Sequence, residues 1–217
     1  MQLKFDLHIH TTYSKDSSIT VEEAIKRAEN VGLDGIAITD HNSIEAHRKI
    51  PGKSSLIVIP GIEVSSHDGH ILGLGVTNPI ARGLSAFETV EKIHSMGGVA
   101  VVAHPGSLLR NSVKNDVLKQ LKTDAVETVN SHLIFASSIK KAKKLAESLG
   151  LSQTGGSDSH ILATIGKAYT LIDVATEDAD DVLKAVRDGK TKAEGDVIST
   201  IDRLIEIRVK LKNKLRV

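Results

Sequence analysis

Apolar residues fall along the chain in two alternating rhythms. Short runs such as Leu56-Ile57-Val58-Ile59 and Val99-Ala100-Val101-Val102-Ala103 are followed by longer segments whose apolar positions recur every three or four residues. Runs of the first kind fit strands buried on both faces of a parallel sheet. The pattern predicts strands over residues 4–7, 34–39, 56–59, 70–76, 99–103, 125–129, 152–155 and 168–172. A helix is predicted from the Thr20/Glu23 capping box to Val31, where Gly32 stops it. Others are predicted over residues 43–50, 84–96, 113–121, 135–149 and 179–187. From about residue 196 to 217 the tail reads as an amphipathic basic helix, with Ile201, Leu204, Ile205, Val209 and Leu211 expected to pack on the outside of the body.

Strand and helix alternate with no linker, repeat or low-complexity stretch, so one α/β domain spanning residues 1–217 is expected. Six or seven βα units fit, and a closed or nearly closed TIM-like barrel accommodates them better than an open sheet. In such barrels functional groups stand at the C-terminal ends of the strands.

Composition narrows the chemistry. The 217 residues carry a formal net charge of +1, which gives no overall attraction to nucleic acid, and 2% aromatics make base-stacking platforms a poor fit. There is no cysteine, so any metal must be held by nitrogen and oxygen. No basic-then-apolar leader and no membrane-length apolar run is present, which leads to an expected cytoplasmic location without a membrane partner.

Against that background, the strand ends are unusual. His8 and His10 close the first predicted strand on one face of it, with Asp16 in the following loop. Asp40-His41 follows the second strand, Glu63 the third, and His70 opens the fourth. His104 follows the fifth, and Asp158-Ser159-His160 the seventh. Six of the ten histidines therefore converge on one predicted basin. Taken singly, each has a plainer role: a histidine at a loop start is more often a hydrogen-bonding residue, and Asp40 suits an N-cap or a supporting role. Glu63 is harder to place otherwise, because a carboxylate directly after a buried strand needs a partner. His47, His67, His94 and His132 read as surface or helix residues, although His132 follows a strand and could line the pocket.

The remaining nine candidates are His8, His10, Asp16, His41, Glu63, His70, His104, Asp158 and His160, too many for one ion. Two or three divalent ions are expected, and zinc, manganese and iron all suit the ligand types. Glu63 could bridge two ions, and a bridging hydroxide would then serve as nucleophile for hydrolysis, phosphoester cleavage above all.

On these motifs the chain resembles the PHP family, named for polymerase and histidinol phosphatase domains. The matching stretches are His8-Ile9-His10-Thr11, Ser14-Lys15-Asp16, Thr39-Asp40-His41-Asn42, Gly61-Ile62-Glu63, Ala103-His104-Pro105-Gly106 and Gly156-Ser157-Asp158-Ser159-His160, in the family's order. The resemblance implies a distorted seven-stranded (β/α) barrel. It further implies one ion on His8, His10, Glu63 and Asp158, a second on Glu63, His70 and His104, and a third on Asp16, His41 and His160. Aspartate at position 16 resembles the small phosphoesterase branch, whose substrates include nucleoside phosphates and short oligonucleotides.

That branch often inserts a subdomain between the His41 and Asp158 motifs. Only 54 positions separate His104 from Asp158, so an open, shallow pocket is expected. Arg110 is the candidate substrate-binding cation, with Lys167 behind it. The expected partner is a small phosphorylated substrate or short oligonucleotide, with no obligate protein partner. Two other readings meet some of the same features. An amidohydrolase-like deaminase or amidase also opens with a strand-end His-x-His, but it would bring a mid-barrel lysine. A ribonuclease P subunit-like RNA-binding barrel would use the basic tail, but it would not need the full ligand set.

Overall fold

In the computed structural model, which describes residues 1–52, 54–107, 111–133 and 136–214, one sheet gathers every strand. The strands are β1 (Gln2–Ile9), β2 (Gly35–Ile38), β3 (Ile57–Ser65), β4 (His70–Leu74), β5 (Val99–Val102), β6 (Ala125–Asn130), β7 (Ser152–Gly156), β8 (Ala168–Asp173) and β9 (Thr191–Gly195). The helices are α1 (Val21–Asn30), α2 (Ala86–Ser95), α3 (Asn115–Leu118), α4 (Ala136–Leu149), α5 (Ala179–Arg187) and α6 (Thr200–Lys214). Their spatial order in the sheet is β7-β6-β5-β4-β3-β2-β1-β8-β9.

This α/β sheet of nine strands is barrel-like and nearly closed. β1, β2 and β3 pair in parallel, as do β5, β6 and β7. β1 shares its other edge between two neighbours. Its first half pairs antiparallel with β8, and beyond that the Asp158 N–H donates to the His8 carbonyl (2.7 Å) and the His10 N–H to the Ser159 carbonyl (3.0 Å). The segment after β7 thus meets the far end of β1.

The sheet departs from the expected seven parallel strands in two ways. β4 runs antiparallel to both β3 and β5, because only a tight turn at residues 66–69 joins β3 to β4. β8 and β9 form an antiparallel extension on β1; Thr191–Gly195 is too polar and too short to stand out as a strand by pattern. Two predicted helices also shrink. Residues 45–49 form a 3-10 helix, and the segment expected over 113–121 is helical only at Asn115–Leu118.

The barrel interior is apolar in its lower half. Leu3, Phe5, Leu7, Ala37, Ile59, Leu72, Leu74, Val99, Val101 and Ile172 pack with Val182 and Val186 of α5, which plugs that end. α2 covers the outside of β3 to β5 through Val90 and Ile93, and α1 covers β1 and β2 through Ala24, Ile25 and Ala28. Among the described residues, no helix is long and apolar enough to cross a membrane.

Two strands carry one extra residue just before the open end of the barrel. Asp6 pairs with Ile36 and Ile9 with Ile38, so three steps along β1 match two along β2. Glu127 pairs with Thr154 and Val129 with Gly155, so two steps along β6 match one along β7. Such bulges re-aim side chains. In β1 the inward set changes from Leu3, Phe5 and Leu7 to His8 and His10, while Ile9 joins the outer cluster with Ile36 and Ile38.

Candidate metal centre

Glu63 is the hub. β3 keeps strict alternation, so Ile57 and Ile59 are followed inward by Glu63 while Ile62 and Val64 face α2. The Glu63 carboxylate is buried and ringed by imidazoles. His41 Nδ1 lies 2.8 Å from Oε2; His70 Nδ1 and His104 Nε2 lie 2.9 and 3.2 Å from Oε1; His10 and His8 Nε2 stand at 3.4 and 3.5 Å. Burial alone would raise its pKa, but the surrounding histidines, His41 and His8 foremost, hold it well below the usual carboxylate range.

Hydrogen bonds fix which nitrogen of each histidine faces the centre. The Ser14 hydroxyl donates to Asp40 Oδ1 (2.8 Å), so toward His10 its oxygen can only accept. His10 Nδ1–H therefore donates to Ser14 Oγ (3.2 Å), and the Nε2 lone pair faces inward. His8 Nδ1–H donates to Glu127 Oε1 (2.9 Å), which likewise leaves Nε2 inward. His160 Nδ1–H donates to the Asp158 carbonyl (2.7 Å) and presents Nε2 to Asp16 Oδ2 at 3.0 Å. Partners of this kind orient metal-ligating imidazoles.

The consequence is a cluster of donors with too few protons. His8 Nε2 and His10 Nε2 are 3.1 Å apart, with neither free to donate when both imidazoles are neutral. Asp158 Oδ1 stands 3.3 Å from His10 Nε2 and 3.7 Å from His8 Nε2. These separations suit the edges of a coordination shell: bonds of about 2.1 Å around one ion put neighbouring donors about 3.0 to 3.4 Å apart. Glu63 Oε2, His41 Nδ1 and His70 Nδ1 are buried, make no hydrogen bond and lie within ion-pair distance. Such donor sets fit divalent cations. In their absence, burial opposes charge on His8, but Glu127, Asp158 and Glu63 together raise its pKa well above the ordinary value. Burial and the neighbouring His160 and His41 push His10 the other way.

All nine sequence candidates come together, in overlapping groups. His8, His10, Glu63 and Asp158 form one; Glu63, His70 and His104 a second; His41 and His160 flank Asp16 in a third, at 3.7 and 3.0 Å. His10, His41 and His160 also face one another, linking the first group to the third. His104 and Asp158 reach inward from backbone with φ of 33° and 57°, a strained region for residues with a side chain. Asp40 supports rather than ligates, accepting from the Thr11 N–H (2.7 Å), the Thr11 hydroxyl (2.6 Å) and Ser14. Arg110 lies outside the described residues, and Lys167 is exposed in the turn before β8.

Pattern reading missed several participants. Glu127 sits mid-strand in β6, accepts from His8 and from the His104 backbone N–H (2.9 Å), and is met by Asn130 Nδ2 (2.9 Å). Its signal was available: a carboxylate inside a fully buried strand, with Val126 and Val129 on either side of Glu127-Thr128. Gly156 makes room for it, since a Cβ there would strike His8 Cβ and Glu127 Oε1. Asp6 accepts from the Ser157 and Gly166 N–H groups (both 2.9 Å), tying β1 to the Asp158 loop; burial pushes its pKa up to about 6 against those bonds. His132, read as a surface or helix residue that could line the pocket, is buried, its Nε2 2.6 Å from Glu206 Oε2 and its ring 6.0 Å from that of His160. Solvent reaches the centre beside Asp16, His41 and His70, which are 30%, 25% and 15% exposed, whereas the other six candidates are buried.

Known proteins share this frame. A family model described as PHP-associated matches residues 137–191. An uncharacterized protein of Methanocaldococcus jannaschii is 35% identical over 143 residues, covering 60% of this chain and 83% of that protein. The 5'-3' exoribonuclease Rnm of Salmonella typhimurium is 34% identical over 133 residues, which are 49% of this chain and 45% of the enzyme. Among solved structures, a two-domain protein of Bacteroides vulgatus containing a predicted PHP-like metal-dependent phosphoesterase superposes with a TM-score of 0.73 at 17% identity, over 98% of this chain and 70% of that one.

Proposed function

The chain belongs to the PHP family, and on that premise we propose that it is a metal-dependent hydrolase of phosphoric esters. The observation that carries this reading is the pair of inward Nε2 lone pairs on His8 and His10, locked 3.1 Å apart beside two buried carboxylates. The functional barrel is the ring β1 to β7, with β8 and β9 as an antiparallel extension, and the metal centre lies at the mouth, at the C-terminal ends of the parallel strands and the N-terminal end of antiparallel β4. Residues 1–217 act as one domain. The substrate is a phosphomonoester or the terminal phosphate of a nucleotide or short oligonucleotide. The likeness to an exoribonuclease supports that choice over a carbon–nitrogen bond.

Divalent ions held by His8, His10, Glu63, Asp158, His70, His104, His41, His160 and Asp16 would offset the charge of the phosphate and acidify a water. The protein's part is preorganisation. Glu127 and Ser14 keep the His8 and His10 lone pairs inward before any ligand arrives. Asp40 holds Ser14 and Thr11 so that the loop carrying Asp16 stays beside β2. The partly exposed side formed by Asp16, His41 and His70 admits the phosphate, while the buried side keeps water from the far donors.

Phosphate release, measured with manganese, zinc or iron supplied separately against phosphomonoesters and short oligonucleotides, tests the proposal. Glu63→Gln, which keeps shape but removes the shared charge, is expected to lower turnover about a thousandfold. Wild-type turnover that is independent of metal, or unchanged in Glu63→Gln, would sink the reading.

A further inference from the structure

α6 is turned the wrong way round for a helix held by apolar burial. Ile201, Leu204, Ile205, Ile207 and Leu211 are 45–70% exposed. The residues meeting the body are Arg203, Glu206, Lys210 and Asn213, spaced to share one helical face. Arg203 donates to the His132 carbonyl (3.3 Å) and Asn213 Nδ2 to the Ser17 carbonyl (3.1 Å). The apolar positions that sequence assigned to the barrel's outside therefore mostly face away from it.

Glu206 anchors the helix. It is buried against His132, whose Nδ1 faces the Ser157 carbonyl at 3.1 Å and whose Nε2 faces the Glu206 carboxylate. Both partners are acceptors, so both ring nitrogens carry protons and the pair is an imidazolium and a carboxylate. Removing one member would strand the other's charge, which makes such a pair a stiff register mark. One turn further along, it delivers Lys210 to the mouth, with Nζ 3.5 Å from Asp16 Oδ2.

Lys210 stands where substrate must pass. Asp16 borders the exposed side of the centre, and the same Oδ2 also faces His160 and His41. A divalent ion on Asp16, His41 and His160 would take up that carboxylate's charge and leave the ammonium beside a second cation. A lysine on a flexible four-carbon stem then turns to an anion. We propose that Lys210 binds the substrate's phosphate at the mouth, and that the Glu206–His132 pair is the positioning element that holds it there. This rests on the phosphoesterase reading and adds a named phosphate-binding group from outside the barrel motifs.

The test uses the full chain loaded with manganese and inorganic phosphate as the probe, titrated calorimetrically. Lys210→Gln is expected to bind phosphate about tenfold or more weakly, the scale of a lost charge-assisted hydrogen bond, and Lys210→Arg to recover most of that loss. KM for the best substrate should rise in parallel in Lys210→Gln, with kcat within about threefold and manganese content unchanged. Glu206→Gln, which keeps the volume of the anchor, should shift phosphate affinity the same way by less. Equal phosphate affinity in wild type and Lys210→Gln, no phosphate binding by wild type, or loss of manganese as the sole change would each overturn the proposal. Lys210-dependent phosphate binding by a protein that cleaves no phosphoester would instead uphold the site and sink the activity assigned above.

Discussion

The two halves of the barrel interior obey different rules. In the lower half the inward positions alternate without interruption: Leu3 and Phe5 on β1, Ile57 and Ile59 on β3, Val99 and Val101 on β5, closed beneath by Val182 and Val186. In the upper half β1 and β6 each carry an extra residue, and His104 and Asp158 sit at positive φ. Where burial is the only task, a regular ladder suffices. Where particular atoms must meet within a few ångströms, the backbone bends to aim them, at about 1–3 kcal/mol for each strained residue. The regular half holds the irregular half in place.

This division can be broken from either side. The largest effect is expected in the lower half: Phe5→Ala removes a fully buried ring and should destabilise the fold by about 3–5 kcal/mol. Denaturant melts would show this, while the protein still folded in buffer should keep its full metal content; loss of metal without loss of stability would contradict the division. Next comes Glu127→Gln in the upper half. It should weaken metal binding by about 10- to 100-fold through misorientation of His8, and lower the metal-free melting temperature as well, because an amide cannot accept from both His8 and the His104 N–H. Metal titrations on protein kept below its melting temperature check this, and a wild-type metal affinity would contradict it. Smallest is Asp178→Ala, which removes the side-chain cap on the Asp180 N–H at the start of the plugging helix. A loss of about 1 kcal/mol in stability is expected with metal affinity untouched; a change in metal affinity would mean that the two halves are coupled.

What sequence revealed follows the same line. The regular elements were legible because burial writes its period into the chain: the apolar runs marked eight strands, and Thr20/Glu23 marked the start of α1 through a capping box that the structure contains. The donors His8, His10, Glu63 and Asp158 stood out because polar residues at the ends of buried strands are conspicuous. Glu127 escaped because it lies inside a strand and serves another side chain. Glu206 and Lys210 escaped because an amphipathic helix is normally read by its apolar face, and here the polar face docks. Strict alternation would also have set His8 and His10 opposite Phe5 and Leu7; a one-residue slip is invisible to periodicity.

That slip has a consequence for how the chain can change. Straightening β1 between Asp6 and Ile9 with its sequence unchanged would give an even ladder with β2 and a more regular strand. The same straightening would return the imidazoles to the outer face and leave the mouth without its first two donors. Along this stretch, the reading frame that makes the tidier sheet is the one that makes no centre.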